Sequence, residues 1–248
     1  LRVNYTVKRN FWGKPTDQLT AVNNISVNLY PNETLGLVGE SGCGKTTLGR
    51  AILGLTPIAG GSISYKGKTL KGMSNDELRA FRKEVQLVFQ DPFSSLNPRH
   101  TIGQLLTEPI RFYKLASGQK NARLKAMEML ELVSMPTDSF YRYPHEFSGG
   151  QRQRIAIARA LTVNPSVLVC DEMVSALDVS IQAHILNLLN RLKRELNLTY
   201  LFISHDLSVV KYMSNRILVM NNGEIAEEGS ADEIYTTPKS EYTQRLIS

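Results

Sequence analysis

One eight-residue segment, GESGCGKT at residues 39–46, limits the folds open to this chain more than any other feature. It follows a short apolar run at residues 34–38, which we predict to be a strand, and it leads into a helical pattern over residues 46–55. The spacing is that of a phosphate-binding loop, in which glycines let backbone N–H groups wrap around phosphate oxygens. A plain glycine-rich turn is the alternative, and the strand before and helix after disfavour it. The segment therefore predicts an α/β fold with a phosphate site at one edge of a sheet.

The loop carries the groups that a nucleoside triphosphate requires. Lys45 would place a positive charge on the β- and γ-phosphates, and the Thr46 hydroxyl would bind Mg²⁺. The predicted nucleotide contacts are Gly39, Glu40, Ser41, Gly42, Cys43, Gly44, Lys45, Thr46 and Thr47.

Two carboxylates follow a second apolar run. Residues 167–170 are predicted to form a buried strand that delivers Asp171 and Glu172 to the sheet edge where α/β proteins bind ligands. Asp171 could hold Mg²⁺ through water, and Glu172 could orient or deprotonate an attacking water. Paired acids after a strand are often only a helix cap. The phosphate loop makes the catalytic interpretation the better one.

A second glycine-rich turn, Ser148-Gly149-Gly150-Gln151, opens a predicted helix over residues 151–161. Backbone amides at a helix N-terminus form an anion site. The chain would thus own two phosphate-binding turns but only one that carries a lysine. We therefore expect each nucleotide to be shared between the first loop of one chain and the second turn of a partner.

The rest of the pattern alternates strands and helices, which is typical of a mostly parallel sheet covered on both faces. Further strands are predicted at residues 1–7, 22–29, 62–65, 85–89, 199–203, 216–220 and 224–227, with a loop at 10–17. Further helices are predicted at residues 75–84, across 102–135, and at 180–195 and 206–213. Ser74 and Glu77 form a capping box for the first of these helices, and Asn221-Asn222-Gly223 predicts a hairpin.

Composition excludes several other classes of protein. The chain has 248 residues, 42% of them apolar and 21% charged, which is enough to bury a large core without disulfides. Its apolar runs are too short for a membrane helix or a signal peptide, so we expect neither. Cys43 and Cys170 lack partners at metal-ligand spacing and are interpreted as a small loop residue and a buried strand residue.

Six motifs in order give the chain a family resemblance. After the loop at 39–46 come Gln90 in VFQDP, the run FSGGQ at 147–151, the strand with Asp171 and Glu172, the run SALD ending at Asp178, and His205 in FISHD. Along essentially its whole length the sequence resembles the nucleotide-binding subunits of ATP-binding-cassette (ABC) transporters. The resemblance implies an α/β P-loop ATPase fold with a mixed sheet, an antiparallel N-terminal β part and an inserted helical lobe. It implies one domain over residues 1–248, with the core at 1–90 and 163–248 and the lobe at 91–162.

The resemblance also assigns roles to residues. It implies ATP hydrolysis with Mg²⁺ in a head-to-tail dimer, where Ser148 and Gly150 face the γ-phosphate held by the partner's loop. The implied catalytic residues are Lys45, Gln90, Glu172 and His205, the metal residues are Thr46, Gln90 and Asp171, and the further nucleotide contacts are Ser148, Gly149, Gly150, Gln151 and Asp178. An aromatic near the N-terminus would stack on adenine. Tyr5 matches best, and Phe11 or Trp12 are alternatives.

Three stretches narrow the resemblance to importers of dipeptides, oligopeptides, glutathione and nickel. They are residues 93–99, 142–154 and 241–247. The implied partners are a second ATPase subunit, identical or different, two membrane permeases and, indirectly, an external solute-binding protein, with the chain peripheral on the cytoplasmic face of the membrane. No nucleic acid is expected. The alternatives are a soluble ABC ATPase that acts on nucleic acid or ribosomes, which the net charge of +6 would suit, and a partner cassette that does not hydrolyse ATP.

Three departures from the family pattern qualify these expectations. Met173 replaces the usual proline after Glu172, so the turn should be less stiff. Phe147 replaces the commoner leucine, which should be tolerated. The cysteine-bearing tail of many peptide-importer ATPases is absent after residues 242–244, so no iron–sulfur cluster is expected in these 248 residues.

Overall fold

The computed structural model describes residues 1–9, 15–91 and 95–247. They form two compact units. Unit 1 consists of Leu1–Arg82 and Thr199–Ser248, and unit 2 of Lys83–Leu198. The division into a core and a helical lobe at 91–162 stays a prediction.

The elements are numbered here in chain order. The strands are β1 (Val3–Arg9), β2 (Pro15–Val22), β3 (Thr34–Val38), β4 (Ser64–Tyr65), β5 (Lys68–Thr69), β6 (Val85–Val88), β7 (Val167–Asp171), β8 (Thr199–Ser204), β9 (Arg216–Asn221) and β10 (Glu224–Ser230). The helices are α1 (Lys45–Ile52), α2 (Asn75–Glu84), α3 (Ile102–Phe112), α4 (Gly118–Leu132), α5 (Gly149–Leu161), α6 (Val179–Leu196), α7 (Leu207–Met213), α8 (Ala231–Thr236) and α9 (Glu241–Ile247).

A mixed sheet forms the centre of unit 1. Its strands run in the order β10, β9, β3, β8. Strand β3 is parallel to both β8 and β9, and β10 is antiparallel to β9. All five residues of β3 are buried, and Gly36 lets helix α7 approach closely, since a Cβ there would lie 2.3 Å from Val210 Cγ1. The predicted hairpin between β9 and β10 is confirmed, because Asn222 and Gly223 both have positive φ, as a two-residue turn requires.

The N-terminal hairpin differs from the sequence prediction. Strands β1 and β2 pair antiparallel, so the predicted loop at 10–17 is wrong over residues 15–17, which belong to β2. The predicted strand at 22–29 is also wrong beyond Val22. Asn24 has a φ of 52°, a left-handed conformation that interrupts an extended chain, so the alternating pattern there does not make a strand.

In its described residues, unit 2 combines a parallel strand pair with the α-helices α3, α4, α5 and α6. Strand β6 pairs with β7, with Val88 opposite Cys170. The helical pattern predicted across 102–135 is two helices, α3 and α4. They are separated at Lys114 and Gly118, which both have positive φ. Gly103 allows α3 to approach Phe140, whose ring carbon would lie 2.4 Å from a Cβ at that position.

Most other predicted elements are confirmed within one to three residues at their ends. The Ser74–Glu77 capping box is present, with the Ser74 N–H donating to Glu77 at 2.9 Å and the Glu77 N–H donating to Ser74 Oγ at 3.3 Å. The predicted strand at 62–65 is shorter, since only Ser64–Tyr65 pairs. Helices α8 and α9 were not predicted. None of the helices in the described ranges is both long and apolar enough to cross a membrane.

Candidate active site

The phosphate-type loop lies where the sequence predicts, between buried β3 and helix α1 in unit 1. Glu40, Ser41 and Gly42 are exposed, whereas Cys43 is buried. Thr46 and Thr47 are half-buried in the first turn of α1. The helix starts after Gly44, which has a φ of 106° and no side chain to cap the helix amides, so these amides face the loop uncapped by their own N-cap residue.

Lys45 is the buried charge at the centre of the loop. Its side chain is only 3% exposed. The ammonium donates to the carbonyl oxygens of Gly39 at 2.7 Å and Glu40 at 2.8 Å, and it lies 3.8 Å from Cys43 Sγ. A buried ammonium held by neutral carbonyls is a strong site for an anion, because an anionic oxygen is a better acceptor than a carbonyl.

The β9–β10 hairpin supports the loop from behind. The Gly223 N–H donates to the Cys43 carbonyl at 3.0 Å. A Cβ on Gly44 would lie 2.1 Å from the Ala21 carbonyl oxygen, and one on Gly39 would lie 2.1 Å from the Met220 carbonyl oxygen. Glycine is thus required at both positions because backbone lies directly against them.

His205 lies at the same sheet edge as the loop. Strands β3 and β8 are parallel neighbours with Val38 opposite Ser204, so Gly39 and His205 each follow directly from the carboxyl end of their strand. His205 is exposed. Asp206 caps helix α7 by accepting from the N–H groups of Ser208 at 2.8 Å and Val209 at 3.2 Å, which fixes the turn that presents the histidine.

Tyr5 is the aromatic residue proposed to stack on adenine. It lies on β1 opposite Leu19 of β2, and the two side chains are 40% and 59% exposed. This pair gives the hairpin an exposed apolar surface, and its contact with adenine stays a prediction. The alternatives Phe11 and Trp12 lie outside the described residues.

In unit 2 the structure brings Gln90 and Glu172 together. Strand β7 is buried and ends at Asp171, which is 5% exposed. Because β6 and β7 are parallel, Gln90 and Glu172 both lie just beyond the carboxyl ends of neighbouring strands. The Gln90 Nε2 donates to Glu172 Oε2 at 3.2 Å. The sequence motifs predicted roles for both residues but did not predict this hydrogen bond.

Glu172 has a φ of 44°, which is uncommon for a residue other than glycine. The turn that holds it there is closed by Ser175, whose hydroxyl and N–H donate to the Glu172 carbonyl at 2.8 Å and 3.2 Å. Met173 is 1% exposed, so its packed side chain anchors this turn. A proline at this position would restrain the backbone instead. The expectation of a less stiff turn stays a prediction. Asp178 is exposed at the start of α6.

The second glycine turn begins helix α5 at Gly149, two residues before the predicted start. Ser148 and Gln151 form a capping box, with the Ser148 N–H donating to Gln151 Oε1 at 3.0 Å and the Gln151 N–H donating to Ser148 Oγ at 3.4 Å. Gly150 permits close contact with α6, since a Cβ there would lie 2.4 Å from Ile181 Cγ2. Phe147 is buried with the Arg142 guanidinium 4.4 Å above its ring, which shows how the position accommodates the larger side chain.

Each unit, taken by itself, offers an oxygen donor of the kind that Mg²⁺ takes when it comes with a nucleotide. Over residues 1–9, 15–91 and 95–247 no group of three or more His, Cys, Asp or Glu could form an all-protein metal cage. Mg²⁺ commonly takes one or two protein oxygens and fills its shell with waters and phosphate oxygens. The Thr46 hydroxyl and the buried Asp171 carboxylate are oxygen donors of that kind.

The two cysteines match the structural interpretation. Both are buried free thiols. Burial raises the pKa of Cys43, and burial followed by the charge of Asp171 raises the pKa of Cys170 to about 12. Both thiols are therefore protonated near neutral pH, which makes them poor nucleophiles.

Comparison with known proteins decides the family. The sequence model described as "ABC transporter" matches residues 22–175. The chain belongs to the ABC transporter family. The predictions of an ABC ATPase and of its α/β fold are thereby confirmed.

Relatives and solved structures are consistent with this assignment. The chain is 51% identical to the oligopeptide transport ATP-binding protein OppF of Escherichia coli, over all of this chain and 75% of that protein. It is 50% identical to the dipeptide transport ATP-binding protein DppF of Lactococcus lactis, over 92% of this chain and 74% of that protein. The dimeric structure of a bacterial ABC transporter cassette, MJ0796, matches with a TM-score of 0.81 at 28% identity, covering 93% of this chain and 96% of that one. The same cassette is also known in a post-hydrolysis state bound to ADP and phosphate.

Proposed function

We propose that this chain is the ATP-binding and ATP-hydrolysing subunit of an importer for dipeptides or oligopeptides, with glutathione and nickel as related solutes. The observation that carries the ATPase part is the buried Lys45 ammonium in its glycine loop, with His205 at the same sheet edge. The names of the relatives at about half identity support the peptide part.

ATP binds with its β- and γ-phosphates on the loop at residues 39–47. Lys45 exchanges its carbonyl partners for phosphate oxygens, and the amides at the start of α1 donate to the same oxygens. Tyr5, beside Leu19, offers its exposed ring to the adenine.

Hydrolysis forms a bond between a water oxygen and the γ-phosphorus and breaks the bond from that phosphorus to the bridging oxygen, giving ADP and phosphate. Glu172 accepts the proton of the water, and Gln90, already bonded to Glu172, aligns it. His205 holds a γ-phosphate oxygen. Thr46, Gln90 and Asp171 would hold Mg²⁺, which would supply positive charge against the phosphates.

A second cassette completes each site. Ser148 and the amides of Gly149 and Gly150 contact the γ-phosphate of ATP held by the partner's loop, with Gln151 and Asp178 at the same boundary. The dimeric structure of the related cassette supports this arrangement.

The permeases would dock near residues 90–99. Unit 2 has a cavity of about 220 Å³ beside this segment. Its lining includes Phe89, Ser95, Leu96, Pro109 and Arg159. Phe89 is 39% exposed, and the Arg159 guanidinium donates to the Ser95 carbonyl at 2.9 Å, so an aromatic ring and a hydrogen-bonded cation both line the cavity. We assign the chain to the cytoplasmic face of the membrane, as a peripheral subunit with an external solute-binding protein as an indirect partner.

The test of the ATPase assignment is Glu172→Gln. We expect this variant to bind ATP normally, to lose hydrolysis by about 100-fold or more, and to accumulate an ATP-dependent dimer on size exclusion. Glu195→Gln, on the exposed end of α6, is the matched control and should behave as wild type. Wild-type hydrolysis unaffected by Glu172→Gln would contradict the assignment of the base.

The test of the transport assignment uses the assembled permease complex in vesicles. Peptide-loaded solute-binding protein should accelerate ATP hydrolysis. Acceleration only by the nickel-loaded or the glutathione-loaded protein would instead identify that solute as the one transported. Stimulation by nucleic acid without permeases would favour the soluble alternative.

A further inference from the structure

The peptide group that joins Gly39 to Glu40 is held from both sides. Its carbonyl accepts from the Lys45 ammonium at 2.7 Å, and its N–H donates to the hydroxyl of Tyr242 at 3.0 Å. The C=O and N–H of a trans peptide are coplanar and point in opposite directions. A rotation of this peptide would therefore break both hydrogen bonds at once.

Tyr242 is itself firmly placed. It lies on α9 near the end of the described chain, and its side chain is 8% exposed. The Glu227 carboxylate on β10 accepts from the N–H groups of Lys239 at 2.8 Å and Ser240 at 3.0 Å, which ties the segment before α9 to the sheet. The Tyr242 N–H donates to Ser240 Oγ at 3.2 Å. Burial raises the pKa of the Tyr242 hydroxyl, so it is a neutral acceptor for the loop amide at physiological pH.

The hydrogen bond from the Glu40 N–H to Tyr242 involves the same peptide group that binds Lys45, the lysine of the proposed phosphate site. The Lys45 ammonium bridges two successive carbonyls, those of Gly39 and Glu40, and the first belongs to the peptide that Tyr242 holds. The hydroxyl is thus one peptide unit away from the ammonium that binds phosphate.

We propose that Tyr242 is a positioning residue of the phosphate loop. Its hydroxyl fixes the Gly39–Glu40 peptide and thereby fixes where the Lys45 ammonium rests before ATP arrives. The inference rests on the proposed function, since it assigns Tyr242 a task in ATP binding. When the hydroxyl is removed, a smaller fraction of molecules holds the loop ready, and the apparent dissociation constant rises by the inverse of that fraction.

The experiment is Tyr242→Phe, which removes one oxygen and keeps the ring. We expect the dissociation constant for a fluorescent ATP analogue and the KM for ATP to rise about three- to tenfold, the effect of one ordinary hydrogen bond. The kcat should stay within about twofold, because the contact acts before the chemical step. Hydrogen–deuterium exchange at Glu40 should become faster in the nucleotide-free variant.

Tyr235→Phe is the matched control, since Tyr235 lies in the same C-terminal segment under the Lys211 ammonium and should show no change in binding. If wild type and Tyr242→Phe bind the analogue equally well, the inference is overturned and the proposed function stays intact. Wild type that fails to bind ATP would overturn the proposed function and the inference with it. A lower unfolding midpoint and lower kcat with unchanged KM would show a packing role only and would also overturn it.

Discussion

The two glycine-rich turns of this chain look alike in sequence and differ in how their helix ends are satisfied. The first turn opens α1 after Gly44, which has no side chain to cap the helix, and it holds a buried cation in Lys45. The second opens α5 after Ser148, whose hydroxyl and backbone N–H are both occupied by a capping box with Gln151. Ser148 is exposed and brings no charge.

This difference indicates that the two turns have different roles. The first turn holds its cation on the carbonyl oxygens of Gly39 and Glu40, and a phosphate oxygen is a better acceptor than either of these neutral groups. The second turn is closed by its own capping box at an exposed helix N-terminus, and under the proposed function it would contact a nucleotide held by another subunit. The following predictions test this contrast, from the largest expected effect to the smallest.

The largest effect is expected from Lys45→Met. Removal of the ammonium should weaken ATP binding and reduce hydrolysis by about 100-fold or more, because the charge-assisted bonds to phosphate are lost. Equilibrium binding and phosphate release measure the two effects. Lys120→Met, on the exposed face of α4, is the control. Near-normal ATP binding by Lys45→Met would remove the first turn from the nucleotide site.

Alanine substitutions of glycines should destabilise the first turn more than the second, because backbone atoms lie closer to the glycine in the first turn. Gly44→Ala combines a φ of 106° with a Cβ 2.1 Å from a backbone oxygen, so we expect a loss of about 3 kcal/mol in the free energy of unfolding. Gly150→Ala meets only the Ile181 side chain, and helix propensity offsets part of the clash, so about 1 kcal/mol is expected. Gly72→Ala has open space and should be neutral. Urea unfolding in which Gly150→Ala loses more free energy of unfolding than Gly44→Ala would contradict the comparison.

The capping box of the second turn should contribute a modest stability. Ser148→Ala is expected to lower the free energy of unfolding by about 1 kcal/mol, the usual cost of losing an N-cap. Ser230→Ala, which removes the similar box that Ser230 and Glu233 form at α8, gives a matched reference. A Ser148→Ala variant as stable as wild type would show that the hydroxyl is not needed to hold the turn.

The smallest effect is a pH dependence that separates two capping boxes. The Lys68 ammonium, and then the amide and hydroxyl of Ser74, lower the pKa of Glu77 from its ordinary 4.5 to about 2. The ionised Glu77 carboxylate therefore contributes its full stabilisation of the folded state above pH 4.5, and this contribution is lost as the pH falls toward 2. The Gln151 amide of the second turn does not titrate. Carboxyl NMR should give a Glu77 midpoint near 2, raised by Lys68→Met. A midpoint of 4.5 in both proteins would contradict this.

Local patterns predicted what local physics decides. The strand, glycine loop and helix around Lys45, the Ser74 capping box and the Asn222-Gly223 turn each depend on neighbouring residues, and each is confirmed in place. The strand at 22–29 failed because alternation alone does not reveal that Asn24 adopts a left-handed backbone.

Contacts between distant residues could not be predicted in the same way. Gln90 meets Glu172 because β6 and β7 pair in one particular register, which no motif states. Tyr242 reaches the Glu40 amide across 202 positions of sequence. The site residues therefore stay predictions from the sequence motifs, and the structure adds contacts such as those of Gln90 with Glu172 and of Tyr242 with Glu40.

The most direct test of the account asks whether Ser148 lies outside the nucleotide site of its own chain. Titration of a fluorescent ATP analogue and steady-state hydrolysis are to be measured together on Ser148→Arg and wild type. We predict equal dissociation constants and a loss of hydrolysis, because the blocked turn faces ATP held by another subunit. A dissociation constant that rises in parallel with the loss of hydrolysis would place Ser148 beside its own chain's nucleotide and contradict the account.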